Sequence, residues 1–192
     1  MGEPTIYVEL DQAKFQAAVR ELAETPGGIE RAITRAVNDV AEMARTQVVR
    51  YVTGEINLPA GQVRTRNTKL ARARRGQSEA MVNVMGYRVP ITPKHFGARK
   101  GRRGGTYQIR RGGGRTFVPG SFLQTMPKTG HRGLFKRRGQ PRLPIAALRG
   151  PSVPHVLEGV QEFAGGAFEQ LMSEKLQERF DAHVGLMLEK KG

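Results

Sequence analysis

Four histidines and one well-placed serine are the side chains of this 192-residue chain that could open a catalytic reading. His95, His131, His155 and His183 lie far apart, with neither HxH nor HxxxH spacing and no carboxylate cluster beside them. Isolated surface or packing histidines fit that pattern better than a metal site or a general base. Ser121 stands in Gly120-Ser121-Phe122, which lacks the GxSxG of a nucleophile elbow. The run Gly112-Gly113-Gly114-Arg115-Thr116 superficially suggests an anion cradle, but GxxxxGK[ST] is absent and a β-hairpin turn reads better. Of 17 carboxylates, only Glu79 lies in the central region, so paired acid–base carboxylates have little material there. Cysteine is absent, which removes disulfides, thiolate zinc sites and thiol nucleophiles. The reading is of no enzyme, no cofactor and no metal.

Cationic chemistry is what remains, and it is concentrated. Residues 62–150 hold 22 Lys and Arg against one acid, while residues 1–61 hold 6 against 9 and residues 151–192 hold 4 against 7. The net charge is +15. Cations so poorly matched by acids repel one another and require a polyanionic neighbour. Clusters fall at Arg72/Arg74/Arg75, at Lys136/Arg137/Arg138/Arg142, and along a glycine-rich stretch. In that stretch Arg99, Lys100, Arg102, Arg103, Arg110, Arg111 and Arg115 are the expected contacts to DNA phosphates or an acidic partner surface. Arginine predominates, and its planar fork suits bidentate bonding to phosphate or carboxylate. No helix-turn-helix, zinc or RNP-type motif accompanies them, and aromatics at 6% are too sparse for base stacking. Contacts to DNA would therefore be to the backbone, without sequence specificity and sensitive to salt.

The elements that must carry these residues are legible from periodicity. Pro4–Leu10 alternates as a short strand. Asp11 is placed to cap a helix running to about Ala23, with Phe15, Ala18, Val19 and Leu22 on one face. Thr25-Pro26 repeats the start signal. Ile29, Ile33, Val37, Val40, Ala44, Val48 and Tyr51 then form one stripe on a helix of about 27 residues, roughly 40 Å long. A closing helix is predicted from Pro151 onward through Val160, Phe168, Leu176, Phe180 and Val184, with a kink or break at Gly165-Gly166. Short strands are expected at Glu79–Met85, Tyr87–Ile91, Thr106–Arg110, Thr116–Val118, Phe122–Met126 and Gly133–Arg137. Gly97–Gly120, with eight glycines, reads as a mobile loop or a long hairpin tip that a partner would order.

The expected fold is α+β, with two long amphipathic helices packed with a small antiparallel sheet and long basic Gly/Arg-rich loops. One domain over 1–192 is the default at this length, divided into 1–61 (helical), 62–150 (basic strands and loops) and 151–192 (closing helix). No apolar run approaches a membrane span, and the first ten residues lack a signal peptide's cationic start and apolar core.

The order of features carries a resemblance. A long helix ends in Arg45-Thr46-Gln47-Val48-Val49-Arg50, and an arginine-rich turn follows with Val63-Arg64-Thr65-Arg66. After the glycine-arginine stretch come Gly120-Ser121-Phe122-Leu123-Gln124, His131 and Phe135-Lys136-Arg137. Leu143-Pro144-Ile145 and Gly150-Pro151-Ser152-Val153-Pro154 then lead into the last helix. Over about residues 28–185 this resembles the minor tail protein Z family of tailed phages and prophages, related to tail-completion (neck) proteins. The resemblance implies a structural virion protein at the head-proximal end of the tail, present in the host cytoplasm during assembly. It implies partners as well: copies of itself in a hexameric ring, adjacent neck, head-completion or tail-terminator proteins, and genomic DNA in the channel. Phe122, Leu123, Pro144, Ile145, Pro151, Val153 and Pro154 are expected to form a partner-facing or packing connector, its prolines limiting backbone freedom.

An alternative from another class is a ribosomal-type or nucleoid-type protein that threads the basic Gly/Arg segment through nucleic acid. The acidic polar faces of the long helices speak against it. They speak equally against attachment to an anionic membrane through the closing helix.

Overall fold

The computed structural model describes residues 11–160 and 166–189. The strand expected at Pro4–Leu10 and the glycine at position 165 lie outside the described residues. The described chain is α+β and forms two compact units, each assembled from separated stretches of sequence.

The first unit comprises Met1–Val48, Thr68–Val84 and Glu158–Gly192. Helix α1, Gln12–Glu21, begins where the Asp11 carboxylate accepts from the N–H groups of Ala13 (2.8 Å) and Lys14 (3.2 Å), satisfying two donors that the first turn leaves open. Helix α2, Gly28–Glu55, is 28 residues long and supplies residues through Val48 to this unit. It starts two residues after Pro26, not on it, and runs through Gly54. Strands β1, Thr68–Ala71, and β2, Met81–Val84, form an antiparallel pair. The closing helix α5, Ala167–Glu189, presents Phe168, Met172, Leu176, Phe180 and Val184 at every fourth position, all buried. Against this helix lie Phe15 of α1, its ring centroid 6.1 Å from that of Phe180, and Asp39 of α2, whose Oδ2 is 3.0 Å from Nε2 of His183. Asn38 joins α2 to the chain after β1, donating to the Ala73 carbonyl (3.0 Å) and accepting from its N–H (2.8 Å).

The second unit comprises Val49–Asn67 and Met85–Leu157. The end of α2 leads through a short helix α3, Ala60–Gln62, into a π-helical turn at Val63–Asn67. Two three-stranded antiparallel sheets follow, β3–β4–β5 and β6–β7–β8. Their strands are β3 (Arg99–Lys100), β4 (Gly104–Tyr107), β5 (Thr116–Pro119), β6 (Ser121–Thr125), β7 (Arg132–Arg137) and β8 (Ile145–Ala147). A short helix, α4, spans Val153–Glu158, its residues through Leu157 belonging to this unit. Strand β4 comes against β7 so closely that a Cβ at Gly105 would collide with Cδ1 of Leu134, which is fully buried. Phe96 sits at the centre of this unit, fully buried and with φ at +64°, a value that only surrounding structure can hold for an aromatic residue. Its N–H donates to the Asn57 carbonyl and its carbonyl accepts from the Gln108 N–H, each at 2.9 Å.

Several expectations change here. Tyr87–Ile91 is not a strand. Pro90 makes one isolated bridge with Arg149, and a residue without an N–H cannot carry a ladder further. The break expected at Gly165-Gly166 is kept: among the described residues α4 ends at Glu158 and α5 starts directly after Gly166. Strands β1, β3 and β8 were not expected, and β8 occupies part of the stretch read as a connector.

Candidate functional site

Arg99 and Lys100 form the exposed edge strand β3, and the N–H of Gly101 donates to the Gly104 carbonyl (2.7 Å) to close the turn into β4. Arg102 and Arg103 are the exposed side chains of that turn. The longer β4–β5 connection carries Arg110, Arg111 and Arg115. All seven expected contact residues therefore meet on one three-stranded sheet and its two turns.

The glycine-rich connection is built, not loose. Gln108 reaches across it, its Nε2 donating to the carbonyls of Arg111 (3.0 Å) and Gly113 (2.9 Å). The Arg111 N–H donates to the Glu55 carbonyl (3.0 Å), and Arg110 pairs with Ile56 in an isolated bridge. The stretch is thus a hairpin tied to the end of α2 by backbone bonds. An order supplied wholly by a partner is not required.

Arg115 differs from the other six. Its Nη2 donates to the carbonyls of Gly97 (2.5 Å) and Thr106 (3.2 Å), and its Nε donates to Thr106 Oγ1 (3.2 Å). Most of its fork is committed to its own sheet, so its first role is to pin the Gly97 corner to β4. Arg99, Lys100, Arg102, Arg103, Arg110 and Arg111 are exposed.

The expected connector residues separate into three places. Phe122 and Leu123 are on β6, opposite Phe135 and Leu134 of β7. Pro144 and Ile145 stand at the return into β8, where the Pro144 carbonyl accepts from the Arg138 N–H (3.1 Å). Pro151, Val153 and Pro154 lead into α4, with Val153 fully buried as an anchor. One relationship had no signal in the sequence. The guanidinium of Arg137 lies 5.4 Å from the centroid of the Phe122 ring, fifteen positions away in sequence and brought there by the β6–β7 register.

Electrostatically the two units are opposites. The second contains 19 of the chain's 32 Lys and Arg but only one of its 17 carboxylates, Glu55. The ion pairs Glu42–Arg45, Glu42–Arg72, Lys14–Asp181 and Lys175–Glu178, and the Asp39–His183 hydrogen bond, all lie in the first unit. His95 reports the same field: burial pushes its imidazole below the ordinary range, and the cationic neighbours Lys94 and Arg66, together with His131, push it the same way.

The residues first weighed for catalysis have structural partners. Ser121 Oγ accepts from the Gly105 N–H (2.9 Å) and donates to the Val118 carbonyl (2.7 Å), which fixes β6 to the neighbouring sheet. His131 stands edge-on to Phe135, and His183 faces Asp39. Among the described residues, no group of three His, Asp or Glu could hold a metal ion, and no helix is long and apolar enough to cross a membrane.

One family model, that of prophage minor tail protein Z, matches residues 14–190. The match starts within α1, ahead of the stretch in which the resemblance was legible. No curated protein and no solved structure matches the chain.

Proposed function

We propose that this chain, which belongs to the prophage minor tail protein Z family, completes the head-proximal end of the tail and joins it to the head by forming a ring of identical copies. Membership makes it a structural component of a phage tail, and the family is structural, not enzymatic. The joining role is our reading of how this molecule serves there. The observation that carries it is the division of charge: a mixed-charge unit closed by its own ion pairs, and a second unit with 19 cations facing a single carboxylate. The first is suited to packing among protein neighbours. The second needs anionic compensation, which a neck offers as DNA or as acidic faces of adjacent subunits.

In this reading Arg99, Lys100, Arg102 and Arg103 on the β3–β4 turn, with Arg110 and Arg111, make the contacts across the junction. Deleting the whole hairpin would remove strands β3 and β4 and is a poor test. The better one changes Arg99, Lys100, Arg102 and Arg103 together to Gln in the phage and scores lysates by electron microscopy. Full heads beside unjoined, full-length tails are the expected result. Normal infectious particles would remove the role of the hairpin, and normal particles from a phage lacking the protein altogether would overturn the joining function. Ring formation is tested separately, by native mass spectrometry of the purified protein with and without tail components.

A further inference from the structure

The β7–β8 hairpin carries a second set of cations, distinct from the β3–β5 sheet. We propose that Lys136, Arg137, Arg138 and Arg142 form a docking surface for the phosphate backbone of duplex DNA. All four are exposed. They are held on an ordered frame: Lys136 and Arg137 end β7, the Arg138 N–H closes the loop onto the Pro144 carbonyl, and Arg142 lies within that loop.

Three observations choose the partner. First, the Arg137 guanidinium carbon lies 5.4 Å from the centroid of the Phe122 ring, a cation–π contact that restrains this exposed side chain while leaving its N–H groups able to meet phosphate. Second, the surrounding unit has one carboxylate among 19 cations. Protein interfaces set register with charges of both signs, whereas a surface of one sign matches a partner whose charge is uniform and repeating. Third, the aromatic rings of this sheet offer bases little stacking surface. Phe135 is buried at 5% exposure, and Phe122 is half-buried with the Arg137 guanidinium over its ring. Single strands gain much of their affinity from stacking on such rings, and a duplex keeps its bases to itself. Duplex backbone is therefore favoured over single strands and over an acidic protein.

The inference concerns the purified protein and stands or falls apart from the joining role. The experiment is a fluorescence-anisotropy titration of the full chain against a duplex of about 30 base pairs and arbitrary sequence, repeated over a range of salt. Changing Lys136, Arg137, Arg138 and Arg142 together to Gln is expected to lower the slope of log K against log salt by about 3 to 4, since each phosphate contact contributes about 0.9. If that variant is not folded by circular dichroism, Arg138→Gln and Arg142→Gln singly are each expected to lower it by about one. The R99Q/K100Q/R102Q/R103Q protein serves as the comparison and is expected to keep the β7–β8 contribution. An unchanged slope in the folded β7–β8 variants would overturn the proposal. So would tighter binding to a single strand of equal length, or displacement of the duplex by polyglutamate at equal charge concentration.

Discussion

Phe96 and Gly150 are in direct contact: a Cβ built on Gly150 would stand 2.5 Å from Cε2 and 2.7 Å from Cζ of the Phe96 ring. The contact joins two unusual backbone requirements, a fully buried aromatic at positive φ and a glycine chosen for lack of volume. It also explains one part of the Gly150-Pro151-Ser152-Val153-Pro154 stretch. Gly150 admits the ring, and Val153 buries itself two residues after the proline.

Gly150→Ala is expected to lower stability by about 1–3 kcal/mol, the range for overpacking a filled core. Urea unfolding followed by circular dichroism reads it. A shift of a few tenths of a kcal/mol would mean that the Phe96 ring can move aside.

Ser121→Ala removes an acceptor from the Gly105 N–H and a donor to the Val118 carbonyl in a site only 5% exposed. A buried group left unpaired costs about 1–3 kcal/mol. The unfolding midpoint should fall accordingly, and hydrogen exchange at the Gly105 amide should quicken. Unchanged protection at Gly105 would show that the bond is not made in solution.

Arg115→Gln and R102Q/R103Q should separate structure from contact. The first loses the bonds to Gly97 and Thr106 and should reduce thermal stability by about 1–2 kcal/mol, the order for hydrogen bonds to a charged donor at a partly solvated site. The second removes exposed charges and should leave stability within about 0.5 kcal/mol. Equal losses in differential scanning fluorimetry would contradict the division of roles.

His95 makes stability depend on pH in a definite direction. Its imidazole is lowered in the folded protein, mainly by burial, so the unfolded chain binds the proton first as pH falls through about 6.5. Stability should be flat on this account above that pH and decrease below it. His95→Gln should flatten the difference between unfolding free energies measured at about pH 7.5 and about pH 5.5. An identical pH slope in both proteins would show that other groups set it.

Helices were legible because their evidence is local. Asp11 announces α1 with its own side chain, and the stripe from Ile29 to Tyr51 carries α2 through Gly54. Strands β6 and β7 were legible for the same reason, each carrying an adjacent apolar pair, Phe122-Leu123 and Leu134-Phe135. Strands β1 and β3 were not, because Lys69, Arg99 and Lys100 take strand geometry from the partner across the ladder and not from their own preference. The candidate site shows the same limit. Seven cations in one stretch looked alike, yet Arg115, exposed like the rest, bends back onto its own sheet because Gly97 and Thr106 offer it oxygens, a fact of tertiary placement. The placement of Arg137 over Phe122 depends on register and left no trace in composition.

The segments of the two units alternate along the chain, and this dictates an order of completion during synthesis. The second unit has all its residues once Leu157 has left the ribosome. The first must wait, since Phe15 and Asp39 meet their partners Phe180 and His183 only once α5 has been made, Asp39 and His183 standing 144 positions apart. For most of that interval the nascent molecule exposes the apolar faces of α1 and α2 while its basic half can already close. An early stop before α5 would release a strongly cationic product with those faces uncovered, a species prone to self-association and a natural target for proteolysis.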